Sequence, residues 1–366
     1  MPEYYVGLMS GTSMDGIDAA LVDFSNSRIK LVASHLKLWP DQVSEEIIAT
    51  YQLSDDDLTT IDQLDVSVGE IFADATNELL DKAGIKASDV IAIGSHGQTI
   101  RHRPDLPNPF SLQIGNAKTI SKLTGIDVVS DFRTADIQAG GEGAPLAPAF
   151  HNAVFRHPEE NRTVLNIGGI ANFTVLPADD TQAVIGFDSG PGNTIMDAWT
   201  LQHRNEAYDK DGSWAAAGNI NTVLLDKLLE DEYFSRPAPK STGFEYFNRT
   251  WLESHLEEDL SADDIQATLS ELTARSIADA IKRYNANSRI LVCGGGYHNR
   301  HLIGRLKSHL PDNTIESTAE YGVHPDWVEA MAFAWLARQT VNGYPGNLPS
   351  VTGASTATLL GKITAA

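Results

Sequence analysis

A single cysteine, Cys293, stands in 366 residues. That excludes an internal disulfide framework and any zinc site built from several cysteines. Uninterrupted apolar runs are short, and none approaches the roughly 18 residues of a membrane span. The opening MPEYYVGLMSG enters a strand pattern at once, without the basic, apolar and small-residue segments of a secretory leader. The expectation is therefore a cytoplasmic protein with no membrane partner. Positive charge is scarce, with 27 Lys and Arg against 49 Asp and Glu and a formal net charge of −22. Such a field repels nucleic acid, and it reads as the solvated surface of a protein adapted to salt. Also missing are a GxxxxGK[ST] run and any GxGxxG that opens a helix after a strand, which removes two common nucleotide-binding designs.

What is present suits a folded protein. Hydrophobic residues make up 42% and charged residues 21%, ordinary values for a globular chain, and the length favours two domains. Residues 4–9, 18–24 and 29–39 read as three strands of a meander. A helix follows, marked by Leu58, Ile61, Leu64, Val68, Ile71, Ala75 and Leu79 three or four apart. Val90 to Ile93 and Ile126 to Phe132 read as buried strands. Near residue 163 the design begins again: TVLNIGGIANFTVLP is an apolar strand, a Gly loop and an apolar strand, followed by AVIGFDSGPGN. Two further helices, Ala262 to Tyr284 and Trp327 to Gln339, flank the strand RILVC, which runs into GGG. The two hairpins, near residues 11 and 168, suggest an α/β protein of two domains sharing a βββαβα plan.

The pentapeptide GTSMD within the first hairpin resembles the surroundings of a subtilisin-like nucleophilic serine, but the chemistry fails. Such a serine needs a His base and its Asp orienter, and none of the twelve residues before Ser13 is Asp or His. The loop reads better as a cradle, because glycines let backbone N–H groups approach an anion and hydroxyls add donors. Three such loops, SGTSMDG, NIGGIAN and CGGGYHN, each stand at a strand end.

In that order they resemble the phosphate-1, phosphate-2 and adenosine motifs of the sugar kinase, Hsp70 and actin superfamily. GLMSGTSMDGIDAALVDF, SHGQTIRHRP, DFRTADIQAGGEGAPLAP, NIGGIANFT, GFDSGPGN, PKSTGFEYFN, CGGGYHN and LPSVTGA together resemble the anhydro-N-acetylmuramic acid kinase family, from residue 7 to residue 353. The resemblance implies a two-domain actin-like ATPase (ribonuclease H-like) fold, with ATP and sugar in the cleft between domains. It also implies conversion of 1,6-anhydro-N-acetylmuramic acid, ATP and water to N-acetylmuramic acid 6-phosphate and ADP during peptidoglycan recycling. In that sugar O6 is tied to C1 as an ether, so a base must activate a water that attacks C1 and frees O6.

Asp188, in GFDSGPGN, matches the family's base; the other reading of it is a cap on the helix beginning near Asn193. Arg133 matches a cation for the lactyl carboxylate, while His96, Asn116 and Glu329 match further sugar contacts. The resemblance places ATP on Gly11, Thr12, Ser13, Met14, Asp15 and Gly16 in the first loop. Gly168, Gly169, Asn172 and Gly190 serve it from the second, and Gly294, Gly295, Gly296 and Asn299 from the third, where Asn299 could instead cap the next helix. Mg2+ is implied as well, but where many superfamily kinases carry an Asp at the first strand end this chain reads Leu8, Met9, Ser10. Asp15 is the nearest acid, and no metal ligand is assigned. A homodimer acting on small molecules is implied. The expected domains are 1–134 with about 345–366, the tail returning to the first domain, and 135–344. The competing readings are a plain sugar kinase acting on a free hydroxyl and a non-enzymatic nucleotide-binding module.

Overall fold

The computed structural model describes every residue except 1, 12, 13, 15, 27, 28, 54–60 and 257–259. The chain forms two compact units, 1–154 with 322–366, and 155–321. In the first, Tyr4–Met9 (β1), Ile17–Asp23 (β2) and Lys30–Lys37 (β3) make the expected antiparallel meander. Val90–Ser95 (β4) then joins β1 in parallel. Gln98–Arg103 (β5) and Phe110–Ile114 (β6) form a separate two-stranded hairpin, and Val128–Ser130 (β7) joins β4 in parallel.

Helices cover both faces of this sheet, as parallel pairing requires. The helix Asp62–Ala83 buries Leu64, Val68, Ile71, Phe72, Ala75 and Leu79, the apolar stripe legible in the sequence. It stops at Gly84, whose left-handed backbone (φ 66) returns its N–H to the last turn. The helix Val328–Val341 packs so closely that a Cβ on Gly7 would lie 1.8 Å from the Ala330 carbonyl oxygen, and one on Gly94 would lie 2.0 Å from that of Phe333. Gly7 and Gly94 are paired neighbours in β1 and β4. Only glycines at this pair admit the helix, and the helix carries Glu329.

The second unit repeats the plan. Arg162–Ile167 (β8) and Ile170–Leu176 (β9) form a hairpin, with Ile185–Pro191 (β10) antiparallel to β9. Arg289–Cys293 (β11) joins β8 in parallel, and Ile315–Ser317 (β12) joins β11. The order β10-β9-β8-β11-β12 is the order β3-β2-β1-β4-β7 over again. This duplicated βββαβα arrangement is the actin-like plan. The helix Ala262–Asn285 begins where Ser261 accepts the Asp264 N–H and packs the interior with Leu269, Leu272 and Ile277. Lys362–Thr364 (β13) pairs with β7 in the first unit.

Residues 135–154 and 322–344 lie in the first unit, not in the second as the sequence reading assigned them. For 322–344 the reason is the seat of helix Val328–Val341 on β1 and β4, which only tertiary contact reveals. No described helix is long and apolar enough to cross a membrane.

Candidate active site

In the second unit three glycine stretches converge on the end of β8. The hairpin turn Gly168–Gly169 is stapled to the segment after β10. Gly192 N–H donates to Gly169 O at 2.9 Å, Asn193 N–H to Gly168 O at 2.8 Å, and Thr194 N–H to Gly169 O at 3.1 Å. The approach is tight enough that a Cβ on Gly192 would stand 2.3 Å from the Gly168 oxygen. Gly294, Gly295 and Gly296 leave β11 beside the same point; Gly294 has φ 80, and a Cβ there would lie 2.3 Å from the Asn166 amide oxygen. These contacts bring the N-terminus of the helix Thr194–Arg204 to the loops, and its positive pole suits an anion. Asn172 pairs across β9 with Asn166 on one side and Asp188 on the other. Asn299 caps the helix Arg300–His309 by accepting the Leu302 N–H at 3.0 Å.

Asp188 stands on β10 where the pairing with β9 slips between Asp188 and Gly190. Such a bulge re-aims a side chain. The carboxylate does not cap the following helix; its Oδ2 accepts the Thr242 N–H at 2.9 Å. Its backbone is held on both sides, with Asp188 N–H donating to Lys240 O at 2.9 Å and the Tyr233 hydroxyl donating to Asp188 O at 2.9 Å. Burial pushes the carboxyl pKa up to about 6 and Glu245 adds to the rise, while the Thr242 N–H and Lys240 oppose it. Lys240 donates from Nζ to Tyr233 O at 2.8 Å and lies over the Tyr233 ring. Burial, then Arg283 and Arg236, lower its pKa to about 8. Lys240, Thr242 and Tyr233 were not singled out from the sequence, although PKSTGFEYFN contains two of them.

In the first unit His96, just past β4, and Asn116 line a polar cavity of about 380 Å³ together with Ser95, Gln113 and Thr134. Arg133, at the start of the helix Thr134–Gln138, donates from Nη2 to His96 Nε2 at 2.9 Å and from Nη1 to Gly143 O at 2.8 Å. His96 therefore accepts at Nε2 and carries its proton on Nδ1, an atom sealed from solvent. Burial and the Arg133 charge push its pKa down to about 3, so the ring stays neutral. Arg133 is lowered by burial to about 10, against the opposing pull of Glu329 and Asp136, and remains a cation at pH 7. Glu329, in the first turn of its helix, keeps solvent contact, yet desolvation raises its carboxyl pKa against the attraction of Arg133. Asn116 is committed on both ends of its amide: Oδ1 accepts the Thr119 N–H at 3.1 Å and Nδ2 donates to Asp65 at 2.8 Å.

Thr12, Ser13 and Asp15 of the first loop lie outside the described residues. Gly11 O accepts the Met14 N–H and the Gln98 side-chain amide, both at 3.3 Å. Met14 adopts a left-handed backbone (φ 60), and Gly16 O accepts the buried Ser10 hydroxyl at 2.9 Å. Met9, at the strand end, has Asp18 as its cross-strand partner. Among the described residues no three His, Cys, Asp or Glu side chains cluster so as to hold a metal ion.

The family model described as anhydro-N-acetylmuramic acid kinase matches residues 3–366. The chain is 52% identical over 363 residues to the anhydro-N-acetylmuramic acid kinase of Shewanella woodyi, spanning 99% of this chain and 98% of that one. It is 50% identical over 363 residues to that of Coxiella burnetii strain Dugway 5J108-111, spanning 99% and 97%. Among solved structures, the activator of the 2-hydroxyisocaproyl-CoA dehydratase from Clostridium difficile with bound ADPNP aligns at 14% identity. That alignment covers 93% of this chain and 96% of the other with a TM-score of 0.46, too distant a likeness to carry function. With half of its residues shared with these kinases from end to end, the chain belongs to the anhydro-N-acetylmuramic acid kinase family.

Proposed function

We propose that this kinase opens the 1,6-anhydro ring of 1,6-anhydro-N-acetylmuramic acid with water and phosphorylates the freed O6 from ATP, as a step of peptidoglycan recycling. The observation that carries the mechanism is Asp188. Its carboxyl is poised near neutrality by burial, one oxygen is held by the Thr242 N–H, and its backbone is fixed from two sides. A base of that strength takes a proton from water efficiently at cellular pH. Water oxygen bonds to C1, its proton passes to Asp188, and the C1–O6 bond breaks. O6 then takes the γ-phosphoryl group and ADP leaves.

Arg133 supplies the cation for the lactyl carboxylate, with His96, Asn116 and Glu329 as further sugar contacts. The neutral His96 ring supports this reading, since it accepts from Arg133 Nη2 and orients the guanidinium without adding a second positive charge. ATP is held by the first-loop residues 11–16 and by Gly168, Gly169, Asn172, Gly190, Gly294, Gly295 and Gly296, with Asn299 serving the third loop as the cap of the helix that follows it. The chemistry of the second and third loops supports this, because close-packed glycine backbone at a helix N-terminus offers N–H groups to phosphate. Mg2+ would neutralise charge on the phosphates, held chiefly by water and phosphate oxygens as is its habit; among the described residues no carboxylate cluster offers it further ligands. The protein acts as a homodimer in the cytoplasm.

The test is turnover in heavy-oxygen water followed by mass spectrometry of the sugar phosphate. Label at C1 is expected. Unlabelled product, or equal phosphorylation of free N-acetylmuramic acid, would overturn the coupled hydrolysis.

A further inference from the structure

The helix that begins after Arg133 carries a charge the mechanism above does not use. Asp136 is fully buried, at 0% exposure. Its Oδ2 accepts the Gly143 N–H at 2.8 Å, and its Oδ1 accepts from Asn347 Nδ2 and the Thr352 hydroxyl, each at 2.7 Å. All three donors are neutral. Among the described residues no cation bonds this carboxylate; burying such a charge is costly, and an apolar residue of similar volume usually serves stability as well or better.

Gly143 shows what the charge does. Its N–H is held by Asp136 while its carbonyl oxygen receives Arg133 Nη1. One residue thus transmits the position of the buried carboxylate to the guanidinium. The loop wraps the carboxylate closely: a Cβ on Gly141 would stand 2.2 Å from Oδ2. The C-terminal tail is fastened to the same loop by backbone bonds that do not involve Asp136, from Glu142 N–H to Thr352 O and from Ser355 N–H to Ala139 O, both 2.8 Å.

We propose that Asp136 is the positioning residue for Arg133, acting through Gly143, and that Asn347 and Thr352 of the C-terminal tail hold Asp136 in place. The tail therefore sets the preference for a carboxylate-bearing sugar. This rests on the reading of Arg133 as the partner of the lactyl carboxylate. Asp136 also supports the Arg133 charge electrostatically, in the same direction.

The experiment measures kcat/KM for 1,6-anhydro-N-acetylmuramic acid against 1,6-anhydro-N-acetylglucosamine, which lacks the lactyl carboxylate, and the KM for ATP. Asp136→Asn is expected to reduce the preference for the muramic sugar by about tenfold or more, the scale of a hydrogen bond to a charged group. Thr352→Val, which leaves the tail's backbone bonds and the other two donors intact, reduces it several-fold, and Thr352→Ser retains the hydroxyl and restores it. The KM for ATP stays unchanged in all three. Equal losses on both sugars, or an unchanged preference in Thr352→Val, overturn the proposal, and the second variant keeps it open to refutation where Asp136→Asn does not fold. Arg133→Met separates the two ideas. If it leaves the preference intact, the Arg133 reading fails and this inference with it; if it abolishes the preference while the Asp136 and Thr352 variants do not, only the inference fails.

Discussion

The two units share a strand order and spend it differently. In the second unit the hairpin between its first two strands turns on two glycines, and a bulge on its third strand aims Asp188. In the first unit the corresponding connection runs from Ser10 to Gly16, and the ionisable groups sit beyond the fourth and fifth strands of the plan, at His96 and Arg133. Strand ends are where α/β sheets leave room for ligands, so a repeated sheet supplies two such places. Duplication accounts for the scaffold; it does not dictate which chemistry each copy holds. The second unit combines a carboxyl raised to about 6 with glycine loops, while the first combines a half-buried cation with a neutral imidazole.

Removing Asp188 should break this comparison most severely. Asp188→Asn is expected to lower kcat by about 10²–10⁴-fold, the usual contribution of a general base, with no loss of melting temperature. The sign on stability follows from the raised pKa. A carboxyl that binds its proton more tightly in the folded state contributes stability below its unfolded pKa, and that contribution is lost as pH rises through about 6. At pH 7 the ionised group is therefore a burden, and Asn relieves it. In the wild type kcat should fall as pH drops below about 6, where Asp188 is protonated. His96, neutral above about 3, adds no second limb between pH 4 and 8. An acid limb that persists unchanged in the residual activity of Asp188→Asn would assign it elsewhere.

Matched glycine substitutions ask whether scaffold and site separate as the comparison says. Gly94→Ala presses a Cβ onto the Phe333 carbonyl, which is helix backbone and does not yield. It should cost about 1–3 kcal/mol in denaturant unfolding, the scale of an overpacked core. Gly192→Ala presses instead on the Gly168 carbonyl in the hairpin turn, and should raise the KM for ATP more than it lowers stability. If both variants behave alike in both assays, the division between the two positions is wrong.

Much of this was legible beforehand because it is written in local pattern. Apolar runs such as VIAIG and RILVC marked β4 and β11, and the helix Asp62–Ala83 showed in its three-four spacing. The hairpin Gln98–Arg103 with Phe110–Ile114 was not anticipated, because QTIRHR intersperses charge with its buried positions and alternates poorly. The helix Asp41–Thr50 was missed as well, since only Ile47 and Thr50 of its ten residues are buried. Asp188 and Arg133 could be singled out by resemblance, yet nothing in their neighbouring residues shows that Lys240 and Thr242 hold the first, or that Asn347 and Thr352 bond Asp136 in the helix beside the second. Those partners lie far along the chain. The placement of residues 322–344 was hidden for the same reason, because two glycines in β1 and β4 admit that helix only once the sheet exists.

The smallest expected effect sharpens the comparison within the third loop. Asn299 spends its amide oxygen on the Leu302 N–H, so Asn299→Ala should cost about 1 kcal/mol of stability, as lost N-caps do. Asn299→Ser keeps an oxygen for the cap and should recover that stability, with the KM for ATP within about threefold of the wild type, less than 1 kcal/mol of binding. The comparison of Ala with Ser separates two contributions that a single substitution confounds: a cap that orders the helix start, and an amide that touches nucleotide. A larger rise in the KM for ATP in the Ser variant at full stability would show that the amide itself binds nucleotide. The expected result leaves the glycine backbone of residues 294–296 as the principal contact, in keeping with a unit whose ligand chemistry is carried by close-packed peptide groups.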